Sequence, residues 1–394
     1  MMSAACLQGM GGGGRLLLLV LSLVTAARAA NPDIVVHNIS DPRPELVFAC
    51  DRQTSDLQAL FTPALIDDLR QLKAGVALST EDLSPQRAQV VRSLNAAGIP
   101  MTAWIALPRV QGYYVNARNA RETTSRFEDF DHWTRSNNLH WQAVGLDIEP
   151  TLSDYGSMTG NKLRLLGVVL RRAFDSNRVF RARQAYTALI HEMHSRGYVV
   201  QTYQLPLIAD ERRVHTTLLE RLFGIVDVRG DQEVLMLYTS FNHPIGAGII
   251  WQYGPDAQAI AVGSTATSGD TAMDAKFPPL SWDEFSRDLI VARHFSGMVG
   301  VYNLDGCVRQ GFIPRLKTID WSQPVVIPAQ AVGKAKGLRR LIFVLLWLAA
   351  HVIYVALLFL LMVGWLVRLI VRRRRRRQGN VRPVSSHRTL RELV

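Results

Sequence analysis

The chain is poor in cysteine, and its few cysteines and histidines do not cluster. Only three of its 394 residues are cysteine, and two of these, Cys50 and Cys307, lie beyond residue 29. Neither has partners at zinc spacing, and His191 and His194 do not form an HExxH motif, so no metal site is predicted. No Gly-x-Gly-x-x-Gly segment follows a first strand, which argues against a dinucleotide site. We therefore expect neither a metal nor a cofactor.

The middle of the chain has almost no net charge, although the whole chain has a net charge of +12. Residues 337–394 hold twelve arginines and one glutamate, and the first 29 residues hold two arginines. Residues 30–336 are therefore left with a net charge of about −1. Charge gives no support to nucleic-acid binding by this part of the chain, and no nucleic-acid partner is expected.

Apolar runs near both ends of the chain predict a secretory signal peptide and a membrane anchor. Residues 16–24 are apolar and precede Ala27-Arg28-Ala29, which is typical of a secretory signal peptide spanning residues 1–29. A signal retained as an anchor is the alternative. Residues 341–367 contain no Asp, Glu, Lys or Arg, and this length exceeds the roughly 20 residues that a bilayer span needs. A single C-terminal transmembrane helix is predicted there.

Basic residues flank the predicted span unequally. The run of six arginines that begins at Arg372 lies on the C-terminal side, which is therefore expected to be cytoplasmic. The sequence thus predicts a single-pass membrane protein. Residues 30–319 would form an extracytoplasmic domain, residues 320–340 a linker, and residues 368–394 a basic cytoplasmic tail.

Strand-like and helix-like segments alternate along the predicted domain. The eight strand-like segments are ELVFAC (45–50), AGVALST (74–80), IPMTAWIALP (99–108), WQAVGLDIEP (141–150), YVVQTYQLP (198–206), EVLMLYTS (233–240), GAGIIWQYG (246–254) and GMVGVYNLD (297–305). Amphipathic segments such as SPQRAQVVRSLNAAG fill several gaps between them. This alternation implies parallel strands joined by crossovers and predicts an α/β fold, the (β/α)8 TIM barrel. A doubly wound open sheet is the alternative, because only FNHPI separates the sixth and seventh predicted strands.

The fourth predicted strand ends in two carboxylates. Asp147 and Glu149 are two residues apart, so in a strand they point to the same face. Like charges repel at this spacing, so stability alone does not favour the pair. A structural role, in which an arginine such as Arg52 neutralises one acid, is the alternative to a functional site.

Other polar and aromatic side chains stand where predicted strands end, the face at which TIM barrels carry their sites. They are Asp51, Trp104, Tyr203, Gln204, Tyr238, Trp251 and Tyr302. Carboxyl groups can act on a glycosidic bond, and aromatic faces can stack on sugar rings. Together with the two acids, these residues predict a sugar site.

The Asp-x-Glu ending of the fourth strand resembles a signature of TIM-barrel glycosidases. In the family 18 chitinases the signature is DGxDxDxE, whose last Asp falls on Asp147 and whose acid falls on Glu149. Gln142 and Gly145 stand in place of its two earlier acids. The sixth strand's Met-Leu-Tyr, ending at Tyr238, resembles the Met-x-Tyr-Asp of that family, with a threonine in place of the Asp.

The family 25 lysozymes are the second resemblance. Their strand-four signature is also an Asp-x-Glu after an apolar run. Their late tryptophan-glutamine-tyrosine motif is similar to the three residues that begin at Trp251, and Asp51 is similar to their first-strand Asp. The sequence CDRQTS around Asp51 is nevertheless unlike the usual start of that family.

These resemblances imply a glycoside hydrolase that acts on a carbohydrate polymer or oligosaccharide. Glu149 would be the acid, and Asp147 would raise its pKa through like charge and hold an N-acetyl group of the substrate. The predicted function is a membrane-anchored, extracytoplasmic glycoside hydrolase acting on N-acetylated, chitin-like or peptidoglycan-like glycans. A catalytically inactive barrel that binds a glycan or a protein is the alternative, and a barrel with unrelated chemistry is also open.

Closure of a barrel would place the first and eighth strands side by side. Cys50 ends the first strand and Cys307 follows the eighth, so a disulfide between them is geometrically feasible. Two free thiols are the alternative.

Overall fold

The computed structural model describes residues 33–37, 43–151, 172–266 and 276–378. Its strands are β1 (Ile34–Val36), β2 (Glu45–Cys50), β3 (Gly75–Ser79), β4 (Met101–Ile105), β5 (Ala143–Asp147), β6 (Val200–Gln204), β7 (Gln232–Met236), β8 (Ala259–Gly263), β9 (Met298–Tyr302) and β10 (Val325–Ile327). Strands β2 to β9 are parallel and form a closed barrel in sequence order, and β1 pairs antiparallel with β10 outside it. The predicted TIM barrel is confirmed, and the open sheet is excluded.

Helices surround the barrel in the order that the sequence predicts for most crossovers. Those of the described residues are α1 (Thr54–Leu60), α2 (Pro63–Gln71), α3 (Pro85–Ala96), α4 (Ala120–Ser136), α5 (Ser176–Ser195), α6 (Leu207–Val214), α7 (Leu218–Phe223), α8 (Gly246–Tyr253), α9 (Trp282–Phe295), α10 (Leu304–Arg309), α11 (Phe312–Leu316), α12 (Ala329–Ala350) and α13 (Val352–Gln378). Thr62 and Ser84 cap α2 and α3, and each is followed by a proline at the first helical position. An N–H at that position would have no acceptor within the helix, so a proline there loses no hydrogen bond.

Side chains alternate along each barrel strand between the barrel interior and the layer beneath the helices. On β2, Leu46 and Phe48 join the large core under the helices, whereas Val47 belongs to a smaller interior core. Small or slender side chains dominate that interior, and the rings of Tyr203 and Tyr238 pack against it. We call the C-terminal ends of β2–β9 the barrel mouth and their N-terminal ends the barrel base.

The segment predicted as the seventh strand, residues 246–254, is a helix. It forms α8, and the seventh barrel strand is β8, which the sequence reading missed. α8 is buried on most sides because it lies between the barrel and α12, and a Cβ on Gly248 would lie 2.4 Å from the carbonyl oxygen of Ala331. A short apolar run buried all round has no periodicity that separates helix from strand. The brief FNHPI gap is thereby explained, since it precedes a helix.

Residues 320–340, predicted as a linker, are part of the folded domain. β10 pairs with β1, and the first turns of α12 are buried at Ala331, Val332 and Ala335. The prolines and small residues that suggested a linker flank β10 and allow close helix packing instead. The linker prediction was therefore wrong.

One helix in the described part of the chain is long and apolar enough to cross a membrane by length and composition, and it covers Val352–Arg374. The predicted span, residues 341–367, is divided between α12 and α13 at His351. A membrane anchor therefore stays a prediction. The predicted signal peptide, residues 1–29, lies outside the described residues, as do residues 379–394 of the predicted tail.

Cys50 and Cys307 are free thiols, so the disulfide is absent from this structure. Both are fully buried, and burial raises the pKa of each thiol to about 12. The Sγ atom of Cys307 lies 3.5 Å from Oγ1 of Thr265. Neighbouring strands do not by themselves bring two side chains to the separation that a disulfide requires.

Candidate functional site

Asp147 and Glu149 lie on one face of an extended segment at the barrel mouth. β5 ends at Asp147, and the chain stays extended because Val115 forms a bridge to Ile148. The N–H of Val115 donates to the carbonyl of Asp147 at 3.0 Å, and its carbonyl accepts from the N–H of Glu149 at 3.1 Å. Leu146 and Ile148 are buried in the core beneath the helices, so the two acids point the other way, into the mouth.

Asp147 is a buried carboxyl with one unpartnered oxygen. The residue is 5 % exposed, and its Oδ1 has no hydrogen-bond partner among the described residues. Burial raises the pKa of Asp147 well above its ordinary value, and the charges of Glu149 and Asp51 raise it further. A buried polar atom without a partner costs stability. The arrangement is therefore suited to holding a ligand and is poorly suited to anchoring the fold.

Tyrosine rings form the wall beside the acids. Tyr203 pairs in register with Asp147 across β5 and β6, and the rings of Tyr238 and Tyr302 lie 5.3 Å apart. Burial, followed by the charge of Asp147, raises the pKa of Tyr203 and of Tyr238. Gly145 makes room for this wall, because a Cβ there would lie 2.8 Å from Cε2 of Tyr203.

Aromatic side chains also lie on β4, the other neighbour of β5, and in the loop that follows β4. Trp104 is 6 % exposed, and its indole Nε1 has no hydrogen-bond partner in the part of the chain that the structure describes. Its ring meets that of Tyr113 edge-on at 6.0 Å, and Tyr113 meets Tyr114 at 4.9 Å. Sequence reading missed both tyrosines. The Gly-Tyr-Tyr run in the loop after the third predicted strand was the available signal.

Asp51 joins the acid pair to a pocket on the other side of the mouth. The hydroxyl of Tyr302 donates to Oδ2 of Asp51 at 3.0 Å, and burial raises the pKa of Asp51 with a contribution from the charge of Asp305. Arg52 donates to Asp305 at 2.5 Å, so its partner is an acid other than Asp147. The pocket has a volume of about 290 Å³ and is lined by these four residues among others. Asp147 is not among the lining residues.

Two predicted sugar-binding residues lie away from the mouth. Gln204 is fully buried beneath the helices, where its Nε2 donates to the carbonyl oxygens of Val226 and Val228. Its neighbour Tyr203 faces the interior, so Gln204 must face outward. Trp251 lies on α8, and its ring stacks on His294 at 5.6 Å. The structure thus removes Gln204 and Trp251 from the candidate site.

Two arginines, one buried and one partly buried, hold the loops that surround the mouth. Arg87 is 1 % exposed and donates to the carbonyl oxygens of Arg52, at 3.1 Å, and of Ser79. Arg126 donates to the carbonyl oxygen of Glu81 at 2.7 Å. These bonds tie α3 and α4 to the ends of β2 and β3, so the backbone at the mouth is fixed before any ligand arrives.

The barrel mouth brings carboxyl groups next to aromatic rings. Asp147, Glu149 and Asp51 supply carboxyl groups, one of them deep and the others nearer the rim. Among the described residues, no group of three or more His, Cys, Asp and Glu side chains could hold a metal ion. Deep and shallow carboxyl groups in different surroundings are a means of dividing proton donation from charge stabilisation.

Neither a protein-family model nor a curated protein matches this chain. Solved structures match it at low identity. The glycoside hydrolase domain of PgaB from Bordetella bronchiseptica is 12 % identical over 70 % of this chain and 98 % of that one, with a TM-score of 0.42. An L-ribulose 3-epimerase is 10 % identical over 79 % of this chain and 98 % of that one, with a TM-score of 0.36.

A further match is the endo-β-mannanase/endo-β-glucanase of Prevotella bryantii. It is 11 % identical over 74 % of this chain and 48 % of that one, with a TM-score of 0.40. Likenesses this distant carry no argument about activity. The resemblance to families 18 and 25 therefore stays a prediction, and the chain is a TIM barrel on the strength of its own closed strand order.

Proposed function

We propose that this barrel is a glycoside hydrolase that holds a glycan across Asp147 and Glu149. The observation that carries the proposal is the buried Asp147 carboxyl beside Glu149, in a setting of tyrosines and a tryptophan. One oxygen of that carboxyl has no hydrogen-bond partner within the described ranges of the chain. The indole N–H of Trp104, which also lacks a partner among those residues, adds a donor at the same place. A sugar ring offers both hydroxyl groups and an apolar face, which suits such a lining.

Glu149 is the proposed proton donor. It is half-buried and stands two residues nearer the rim than Asp147, where it can reach the oxygen of a glycosidic bond. Asp147, whose raised pKa favours the protonated form, can both donate and accept a hydrogen bond. An acetamido group presents one N–H donor and one carbonyl acceptor, so we assign Asp147 to holding it.

The substrate class follows from that assignment and from the family likeness at Asp147 and Glu149. We infer an N-acetylated glycan, with Tyr203, Tyr238 and Tyr302 as its aromatic contacts. The apolar helix of Val352–Arg374 supports an anchored protein, and the run of arginines that begins at its C-terminal end favours an extracytoplasmic barrel.

Turnover by the purified full chain tests this function. Chromogenic N-acetylglucosaminide oligomers and a peptidoglycan suspension are suitable substrates. Glu149→Gln keeps the shape of the side chain but cannot supply an acid proton, so the rate should fall by roughly 10²- to 10⁴-fold while glycan binding persists. Glu128→Gln, on the exposed side of α4, is the matched control and should leave the rate unchanged.

A glycan-binding barrel without turnover is the rival function. It is favoured by the pocket beside Asp51, which Asp147 does not line, and by Gln142 and Gly145 at the positions of the two missing family 18 acids. Calorimetric binding of an N-acetylated oligosaccharide with no hydrolysis over long incubation would decide for this rival.

A further inference from the structure

The helix that leads toward the proposed membrane anchor is firmly docked on the barrel. α12 begins beside β10, and the N–H of Ala329 donates to Asp33 Oδ1 at 2.7 Å. Its first turn lies against α8 so closely that a Cβ on Gly248 would overlap the backbone of Ala331. The chain therefore approaches the anchor along a fixed helix.

Arg339 locks this helix in place. Its Nε donates to Asp210 on α6 at 2.8 Å, and a terminal nitrogen donates to Asp256 at 2.5 Å. The guanidinium carbon lies 4.1 Å from the ring centroid of Tyr253, and another terminal nitrogen donates to the carbonyl oxygen of Gln252. With only 12 % of its side chain exposed, Arg339 is tied to the domain by charge, hydrogen bonds and ring contact.

The direction in which α8 runs shows at which end of the barrel the contacts of Arg339 lie. α8 follows β7, and Gly246 near its start packs against Thr239 at the mouth end of that strand. The chain then passes Asp256 and enters β8 at the base. Gly254 correspondingly meets Phe295, just before β9 begins at the base. α8 therefore runs from mouth to base.

α12 runs in the same direction as α8. Its residue Ala331 meets Gly248 in the first turn of α8, and its residue Arg339 meets Asp256 at the base. The helix continues to Ala350, which at about 1.5 Å per residue carries it roughly 16 Å beyond Arg339. The anchor thus leaves the barrel at its base.

The last turns of α12 are apolar where they leave the barrel. Leu341, Val344, Leu345 and Trp347 are each about half exposed, and they follow directly on Arg339 and Arg340. The first charged residue of α13 is Arg368, so its uncharged residues 352–367 span roughly 24 Å at about 1.5 Å per residue, which is less than a hydrocarbon core of about 30 Å. The exposed apolar turns of α12, which lie next to the base, therefore supply the remaining length and contact lipid.

We propose that the bilayer lies against the barrel base, so that the mouth with Asp147 and Glu149 opens away from the membrane. This rests on the proposed membrane anchor. Barrel strands of five residues alone separate mouth from base by roughly 17 Å. The site then faces glycan chains that approach from outside the membrane surface, and it is turned from sugars attached to lipids in its own leaflet.

Fluorescence quenching in vesicles tests this orientation. Full chain is reconstituted into phosphatidylcholine vesicles that carry a nitroxide on the headgroup, with a thiol-reactive fluorophore at one introduced cysteine. Gly297→Cys places the probe at the base, where a Cβ meets nothing within 4 Å, and Val110→Cys places it at the mouth on a residue 96 % exposed. The buried Cys50 and Cys307 should not react, and the unsubstituted chain measures any background.

Emission should be largely lost for the Gly297 probe and retained for the Val110 probe. Arg339→Gln should reduce this difference by loosening the helix, whereas Arg340→Gln removes an exposed charge next to it and should not. Quenching at Val110 equal to or above that at Gly297, or no quenching at either, would overturn the orientation. A chain that does not float with the vesicles contradicts the anchor itself and the orientation with it, while glycan turnover is measured separately.

Discussion

Replacing Asp147 with Asn should make the barrel more stable than the parent at neutral pH and similar to it in mild acid. Burial and the neighbouring acids raise the pKa of Asp147 in the folded state, whereas an unfolded Asp has a pKa of about 3.9. A raised folded pKa contributes stability that is fully present below the unfolded pKa and is lost as pH rises through the folded pKa. Asparagine does not titrate, so it escapes this loss.

The size of the effect follows from proton linkage. Between the unfolded and folded pKa values, the folded protein binds one proton that the unfolded chain does not. The parent should therefore lose about 1.4 kcal/mol of unfolding free energy per pH unit relative to Asp147→Asn. For a domain of about 300 residues this corresponds to roughly 2 °C of melting temperature per pH unit. The pH at which the difference levels off reports the titration of the acid cluster as a whole.

Thermal melting from pH 4 to 8, followed by circular dichroism on the full chain in detergent, measures this difference. Asp131→Asn is the control of opposite sign. Burial acts to raise the pKa of Asp131, but hydrogen bonds from Tyr198 and Arg196 outweigh it and lower that pKa. Its contribution is present above the unfolded pKa and lost in acid, so Asp131→Asn should be less stable than the parent at neutral pH.

Two outcomes would refute the reasoning about Asp147. One is an Asp147→Asn variant less stable than the parent at pH 7. The other is a stability difference that does not change with pH. Either would mean that Asp147 is an ionised, well-partnered anchor, and the structural alternative for the acid pair would then replace the catalytic one.

Three further predictions concern the scaffold of the site. Arg87→Met should lower the free energy of unfolding in urea by roughly 1–3 kcal/mol, because it leaves the buried carbonyl oxygen of Ser79 without its donor. An equal cost for Arg70→Met, at an exposed site, would contradict this. Gly145→Ala should lower the free energy of unfolding by roughly 1–3 kcal/mol and slow turnover, because the added methyl group displaces the ring of Tyr203. An unchanged melting temperature and an unchanged rate would show that the ring moves aside at no cost. The two buried barrel thiols should resist alkylation until unfolding, and a linked pair found by mass mapping would contradict the structure.

The sequence determined the fold to a large extent. Seven of the eight predicted strands overlap barrel strands, because each combines a short apolar run with flanking turn residues. The shared face of Asp147 and Glu149 also followed from sequence, since the period of a strand is two and Leu146 and Ile148 mark its buried side. Local chemistry was sufficient at these points.

Only the tertiary structure decided the remainder. The sequence predicts a strand where α8 forms, because the burial of α8 comes from α12, which is some eighty residues later in the chain. The position of Gln204 at the end of its strand predicts a place at the mouth, but its side chain faces the layer of helices outside the barrel. The arrangement of Asp51 near Asp147 arises when the barrel closes, and so does the pKa of Asp147. Contacts between distant segments leave no local pattern, and these features could therefore be found only in the folded chain.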